Sequence, residues 1–276
     1  MSIFNNSMFQ SIKAALSKDE EKTSSGLYNE ILKTTPGNTY TVRLLPFAKD
    51  PSKTFFHYFI HGWNSFATGQ FVQTISPQTF NERDPISEER FKALRTGTEE
   101  EKEKMNAVRR SEKWLVNVYV VEDPTNPANN GTVKMIRYGK QLHKIIMEAI
   151  EGEDSEEFGA RIFDLGAEGV NFKVKVEQQG EYPTYVSSRF TTSGKLNLTD
   201  DQQKKIYDST YNLEEVFTVK SYDELKQMID EHIYCNAEKP VDTSPPFKPS
   251  AVQKPAPVVE ASNSIEDDID ELLKDL

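Results

Sequence analysis

A series of short β-type segments constrains the fold of this chain more than any other feature. In the clearest of them, four apolar residues between Val170 and Val176 alternate with polar ones, among them Lys173 and Lys175. A period of two places the apolar side chains on one face of a strand and the polar ones on the other. Comparable patterns predict strands at 39–45, 54–60, 71–75, 113–121, 132–138 and 170–178.

Helical periodicity is confined to a few places. One helix is predicted after Gly139, where apolar residues recur at helical spacing up to Ile150, and another from Ser221, with Glu224 in the capping-box position. Because strands and helices do not alternate regularly, a parallel sheet is disfavoured. We predict a mainly β protein with helical additions (α+β), built on an OB-fold barrel core at 27–236 with a charged, partly helical insertion near 76–108.

The two ends of the chain differ from this core in composition. Residues 1–26 are predicted to form a flexible N-terminal arm. Residues 237–263 contain six prolines and little that is apolar, which predicts an extended Pro-rich linker. Residues 264–276 form an acidic tail that we expect to be disordered without a partner.

The tail has the pattern of a short amphipathic helix. Its apolar residues fall on one helical face and acids flank them; an isolated helix of this length is marginal in water, so it should order on a partner. The predicted partner-binding residues are Ile265, Asp267, Asp268, Ile269, Asp270, Glu271, Leu272, Leu273 and Leu276.

Charge is distributed unevenly in this acidic protein. The formal net charge is −11, yet from Lys102 to Lys144 nine Lys and Arg residues stand against four Asp and Glu. Cations interleaved with aromatic residues on strands are typical of proteins that contact phosphates and stack on bases of single-stranded nucleic acid. The candidates are Arg109, Arg110, Lys113, Trp114, Arg137, Tyr138, Lys140, Lys173, Lys175, Tyr182 and Tyr185.

Each candidate has a plainer structural interpretation. An aromatic residue in a strand is more often core than binding surface, and a run of charge is usually a solvated face. The aromatic candidates are predicted to lie at strand ends or in loops, where binding residues concentrate. The cations alternate along strands, so we expect one sheet face to form a cationic stripe.

Catalysis and metal binding have little support. No phosphate-binding glycine loop, dinucleotide fingerprint, nucleophile elbow or zinc-protease motif is present, so we expect no enzyme. His57 and His61 would lie on one strand face but about 13 Å apart, too far to share an ion. We therefore expect no metal and no cofactor.

The longest apolar runs fall far short of the roughly 20 residues of a membrane span, and the N-terminus does not read as a signal peptide. The single cysteine, Cys235, excludes an internal disulfide. A cytoplasmic protein without membrane contact is expected.

Several segments, in this order, resemble the gene-thirty-two-type single-stranded DNA-binding proteins of T-even-like tailed bacteriophages. They include Val42-Arg-Leu-Leu-Pro46, His61-Gly-Trp63, Val120-Val-Glu-Asp-Pro124, Arg137-Tyr-Gly-Lys140 and Gly169-Val-Asn-Phe-Lys-Val-Lys175. Trp114, Asn117, Asn130-Gly-Thr-Val133, Tyr182, Tyr185, Arg189-Phe190 and the closing Asp267–Leu276 complete the set.

The resemblance implies an OB-fold and sequence-independent binding of single-stranded DNA in phage replication, recombination and repair. It places the cleft's cations and stackers at Arg109, Arg110, Trp114, Tyr182 and Tyr185; Tyr138 is a substitute for a family Tyr that aligns with Ile136. It also implies self-association along DNA through the arm, and recruitment through the tail of a polymerase, a primase-helicase or its loader, and a recombination mediator.

Two departures from the family pattern stand out. His61 matches the histidine of a family zinc site, but no cysteine lies between Gln73 and Leu94, so the zinc is expected to be absent. The arm offers Lys13, Lys18 and Lys22 in place of a Lys/Arg-rich cooperativity motif. Two other functions stay open: a single-stranded RNA-binding module of the same fold, and an acidic-tailed adaptor that binds no nucleic acid.

Overall fold

The computed structural model of the chain describes residues 26–180 and 182–236. The predicted linker, the acidic tail and all but the last residue of the predicted arm lie outside the described residues.

The main element is an antiparallel sheet, and the mainly β prediction is confirmed. Its strands are β1 (Thr39–Leu45), β2 (Phe55–Asn64), β3 (Phe71–Ile75), β4 (Arg109–Glu122), β5 (Val133–Tyr138), β6 (Val170–Lys175) and β9 (Arg189–Ser193). They pair in the order β3-β2-β4-β1-β6-β9, and β5 pairs with β4. A separate hairpin joins β7 (Glu177–Gln179) to β8 (Tyr182–Thr184).

Strand β4 organises this sheet because it is long enough to pair with three others. Its first half lies against β2, its second half against β1, and its middle against β5. The pairings among the described residues leave the sheet open, so the ladder does not show the closed barrel that the sequence predicts.

Five α-helices accompany the sheet in the described part of the chain: α1 (Pro85–Thr96), α2 (Glu99–Ala107), α3 (Lys140–Glu151), α4 (Asp200–Asp208) and α5 (Tyr222–His232). Helices α3 and α5 are the two that periodicity predicts, and α5 begins with the expected capping box at Ser221 and Glu224. Helix α4 was not predicted because its sequence, DDQQKKIYD, has too few apolar residues to show a period. No helix in the described ranges is long and apolar enough to cross a membrane.

Two apolar clusters are built partly on β2 and β4. The main cluster lies between the sheet and α3, with Val116, Ile136 and Ile146 at its centre. A second cluster joins Trp63 on β2 to α1, α2 and α5. Strand β2 therefore connects the main core, which Phe55 contacts, to a small helical subdomain, which Trp63 joins.

One buried cation helps to hold the sheet together. Arg43 on β1 is fully buried and donates to the side chain of Asn171 at 2.8 Å and to the carbonyl oxygens of Asp164, Gly166 and Gly194. Burial lowers the pKa of Arg43 from its ordinary value. These four hydrogen-bond acceptors are neutral oxygens, and through them Arg43 connects β1 to β6 and to the 164–169 turn.

Candidate nucleic-acid interface

The predicted binding residues on β4 are divided between the two faces of that strand. Successive side chains of a strand point to opposite sides, so Arg110, Glu112 and Trp114 share one face, while Arg109 and Lys113 lie on the other. We call these the Trp114 face and the Lys113 face. The pairing of β4 with β2 is continuous from Arg109 to Val116, so no register shift disturbs this assignment.

Aromatic rings form a ladder across the Trp114 face. His57 on β2 and Tyr138 on β5 are the register partners of Trp114 on either side. The ring of Trp114 stacks on that of His57 at 4.8 Å, on that of His143 of α3 at 3.9 Å and on that of Tyr138 at 6.2 Å. These nearly parallel rings join three strands and a helix at one point.

The burial of this ladder corrects the expectation that Trp114 and Tyr138 lie open at strand ends. Trp114 is 8% exposed and Tyr138 4%, and both belong to the main apolar cluster. Burial raises the pKa of the Tyr138 hydroxyl above its ordinary range. The physical reason is that β4 is an interior strand: β5 and α3 cover positions that the sequence shows only as aromatic residues beside cations.

The exposed part of the Trp114 face lies further towards the start of β4. The side chain of His57 is 44% exposed, and Phe59, the register partner of Glu112, is half-buried. The Arg110 guanidinium lies over the Phe59 ring at 4.9 Å and donates to the side chain of Gln78. His57 meets Phe59 edge-on at 5.0 Å. Two accessible rings and a cation thus form one continuous surface.

Helix α3 contributes the second side of this surface. Its first residue, Lys140, places Nζ 3.9 Å from a carboxylate oxygen of Glu112. The other Glu112 oxygen accepts a hydrogen bond from His57 Nε2 at 2.7 Å. Burial lowers the pKa of His143, one turn further along α3, although Glu112 opposes that shift.

The predicted Tyr182 and Tyr185 lie in and after the β7–β8 hairpin. The backbone N–H of Tyr185 donates to the Gln141 side chain at 2.9 Å, and its ring packs against the main cluster. Because Gln141 follows Lys140, Tyr185 is held beside the first turn of α3. Tyr182 is half-buried in the hairpin, opposite Gln179.

The remaining predicted cations do not join this surface. Arg137 pairs with Leu115 on the Lys113 face, where its Nη1 donates to the Tyr28 hydroxyl at 3.2 Å. Lys173 and Lys175 alternate with the core residues of β6, and Lys175 forms an ion pair with Glu177 at 2.6 Å.

The predicted cations therefore divide between the two faces of the sheet. Adjacent cations along a strand point to opposite sides, so Arg109, Lys113 and Arg137 lie behind the sheet when Arg110 faces forward.

Sequence reasoning missed four residues of this surface: His57, Phe59, Glu112 and His143. From the sequence, His57 is considered only as a metal ligand. The alternation of side chains along β2 and β4 could have identified His57 and Phe59, because they lie on the same sheet face as Trp114 once the two strands are paired. It could not have identified His143, which lies on a helix. The register of β2 against β4 depends on pairing residues about 55 positions apart.

His61, the residue that matches the family's zinc-binding histidine, has a different partner. It is 1% exposed, and its Nε2 bonds to Asp84 Oδ2 at 2.7 Å. Asp84 also accepts from Ser76 Oγ and caps α1 through the backbone N–H groups of Ile86 and Ser87. His61 thus meets one carboxylate here, and among the described residues no three His, Cys, Asp or Glu side chains are grouped to hold a metal.

A surface of rings and cations on an antiparallel sheet, flanked by a helix, is typical of nucleic-acid-binding domains. The family comparison agrees: residues 36–232 match the family described as "gp32 DNA binding protein like", and the chain belongs to that family.

Two relatives are each called "Single-stranded DNA-binding protein", one from Enterobacteria phage T4 and one from Enterobacteria phage T2. Each is 31% identical over 125 residues, which is 43% of this chain and 41% of the relative. The chain thus matches about two fifths of the length of these curated relatives.

Proposed function

We propose that this protein binds single-stranded DNA without reading its base sequence, through the exposed part of the Trp114 face. The observation that carries the proposal is the placement of Arg110 over Phe59, beside the exposed ring of His57. The family and the names of the two relatives support the choice of single-stranded DNA.

The geometry assigns different work to different groups. Phe59, His57 and Tyr185 supply ring surfaces on which bases of any identity stack, which typically contributes about 1–3 kcal/mol per base. Arg110 and Lys140 supply the cations that phosphates approach. Trp114 and Tyr138 support these groups from beneath as buried members of the ladder.

The other residues predicted to contact DNA are expected to contribute less to affinity. Lys173 and Lys175 alternate with core residues, and Arg109, Lys113 and Arg137 lie on the Lys113 face. We expect them to act through the general field of the domain, with a weaker effect on affinity than Arg110. Tyr182, at the end of the hairpin that carries Tyr185, remains a candidate stacker.

The finer architecture also belongs to the proposal. We infer that the sheet is an OB-type sheet, with 27–236 as the binding core and α1 and α2 inside the insertion near 76–108. The strand content and the antiparallel pairing support this assignment.

The wider role follows from coating single-stranded DNA. In a host-cell cytoplasm, such a protein would protect DNA during phage replication, recombination and repair. The arm at 1–26 would join neighbouring copies along the strand. The acidic tail at 264–276, tethered by the linker at 237–263, would recruit a polymerase, a primase-helicase or its loader, and a recombination mediator.

A titration of labelled oligo-dT and oligo-U at about 50 mM and about 200 mM NaCl tests the binding function. We expect salt-sensitive binding of oligo-dT. Preference for oligo-U would favour the RNA-binding alternative, and no binding to either would favour the adaptor.

Two neighbouring arginines form a matched pair of variants for the site. Arg110→Ala should weaken oligo-dT binding and reduce the salt slope by about 0.7, the value of one phosphate contact on a single strand. Arg109→Ala removes the same charge from the adjacent position on the opposite face and should have the smaller effect. Equal effects would contradict the assignment to the Trp114 face.

Deleting residues 260–276 tests the tail. This segment contains seven acids and one lysine. If the tail competes with DNA for the cationic surface, its removal raises affinity at low salt, and the gain shrinks as salt screens the charges. Unchanged affinity at low salt would rule out competition by the tail.

A further inference from the structure

The middle of the proposed DNA surface contains a carboxylate. Glu112 stands on β4 between Arg110 and Trp114, and its register partner is Phe59. Every other side chain on the exposed part of this surface described above is a ring, an amide or a cation. An acid in the path of a polyanion opposes binding and needs an explanation.

Local structure does not supply that explanation. The Glu112 side chain is 27% exposed, and those of its partners His57 and Lys140 are 44% and 33% exposed. Partly exposed ion pairs of this kind contribute little to folding stability. The backbone pairing of β4 with β2 requires no acid at this position.

The contacts of Glu112 are those that a phosphate group would make. One carboxylate oxygen accepts from His57 Nε2 at 2.7 Å, and the other lies 3.9 Å from Lys140 Nζ. Since a carboxylate only accepts, His57 must carry its proton on Nε2 and present it as a donor. Two donors on different elements, β2 and α3, therefore converge on a single anion.

We propose that His57 and Lys140 form a phosphate seat, and that Glu112 fills this seat until a phosphate of single-stranded DNA displaces it. The inference rests on the proposed function and adds to it a residue that sets affinity. Two anions cannot share the same donors without strong repulsion, so the Glu112 side chain must turn away when phosphate enters. Glu112 thus weakens binding and makes Lys140 less available to DNA.

Glu112→Gln in the full-length protein is the direct test, since it keeps the size of the side chain and removes its charge. We expect oligo-dT to bind about three- to tenfold more tightly at about 50 mM NaCl, with a smaller gain at about 200 mM NaCl. The salt slope should become steeper by about 0.7, as expected for one additional phosphate contact.

Glu214→Gln is the matched control. Glu214 forms an ion pair with Lys53 at 2.6 Å and follows Leu213, which packs with Leu115 behind the Trp114 face. Its substitution changes the net charge equally but should leave the affinity within about twofold of the wild type. An equal gain in both variants would assign the effect to overall charge and overturn the proposal.

Lys140→Ala provides an independent readout of the seat. Its effect on affinity should be larger in the Glu112→Gln background than in the wild type, because Glu112 no longer competes there with phosphate for the Lys140 ammonium group. If Glu112→Gln unfolds, as judged by circular dichroism, Glu112→Thr serves instead, since a β-branched residue suits a strand.

A folded variant that binds no more tightly than wild type overturns the phosphate seat while DNA binding stands. Failure of the wild-type protein to bind oligo-dT would instead overturn the proposed function.

Discussion

Replacing Asp84 with alanine should bring the helical subdomain close to unfolding. This carboxylate is fully buried, and it bonds to His61 at 2.7 Å, to Ser76 Oγ at 2.5 Å and to Ser87 Oγ at 3.1 Å. It also caps α1 through Ile86 N–H at 3.0 Å. One side chain therefore joins β2, the turn after β3 and the start of α1.

The magnitude follows from two effects that share the same oxygens. Loss of an N-cap typically costs about 1 kcal/mol. Removing the carboxylate also leaves the buried His61 and Ser76 without their acceptor, and each buried polar group left without a partner costs about 1–3 kcal/mol. Since both effects involve one carboxylate, we expect a total of about 3–5 kcal/mol out of a domain stability of about 5–15 kcal/mol.

Urea unfolding monitored by circular dichroism measures this loss in the free energy of unfolding. Ser87→Ala is the control: it removes one hydrogen bond and leaves the cap, so it should cost about 1 kcal/mol. A chelator should leave the unfolding midpoint of the wild type unchanged. A loss below about 1 kcal/mol for Asp84→Ala would refute the argument, since an ordinary exposed cap would explain it.

Trp114→Ala should lower the free energy of unfolding by about 3–5 kcal/mol in urea, as expected for a buried ring rather than an open stacker. Burial depresses the pKa of His143, so its proton is bound more readily by the unfolded chain, and stability should fall as pH drops below about 6.5. His143→Gln should flatten that fall in thermal melts. Gly169→Ala would drive Cβ into the Asp164 carbonyl oxygen and the Arg43 guanidinium, so a destabilisation of about 1–3 kcal/mol is expected in the same assay.

Local periodicity was sufficient to locate most of the secondary structure. Strands β1 and β3 match their predicted bounds, and α3 and α5 begin at the predicted places. These elements depend on side chains within a few positions of one another, so a window of sequence contains the information. The capping box at Ser221 is of the same kind.

Strand bounds were less predictable where pairing partners lie far away. Strand β4 begins at Arg109 rather than Lys113, and β2 continues to Asn64 rather than Ile60. The added residues are polar or mixed and show no alternation. Arg109 and Arg110 are extended because they pair with Gly62 and His61, about 50 residues away, whereas the end of β2 pairs with β3.

The family and the general kind of site could be read from the order of motifs and from the cluster of cations and rings. Which face each residue occupies was decided by tertiary structure. Burial of Trp114 and Tyr138 results from β5 and α3 closing over them, and the Glu112 contact needs β2, β4 and α3 together. The sequence thus determined which segments form strands and helices. Which side chains meet was decided by the register between distant segments, because long-range hydrogen bonds and packing set that register.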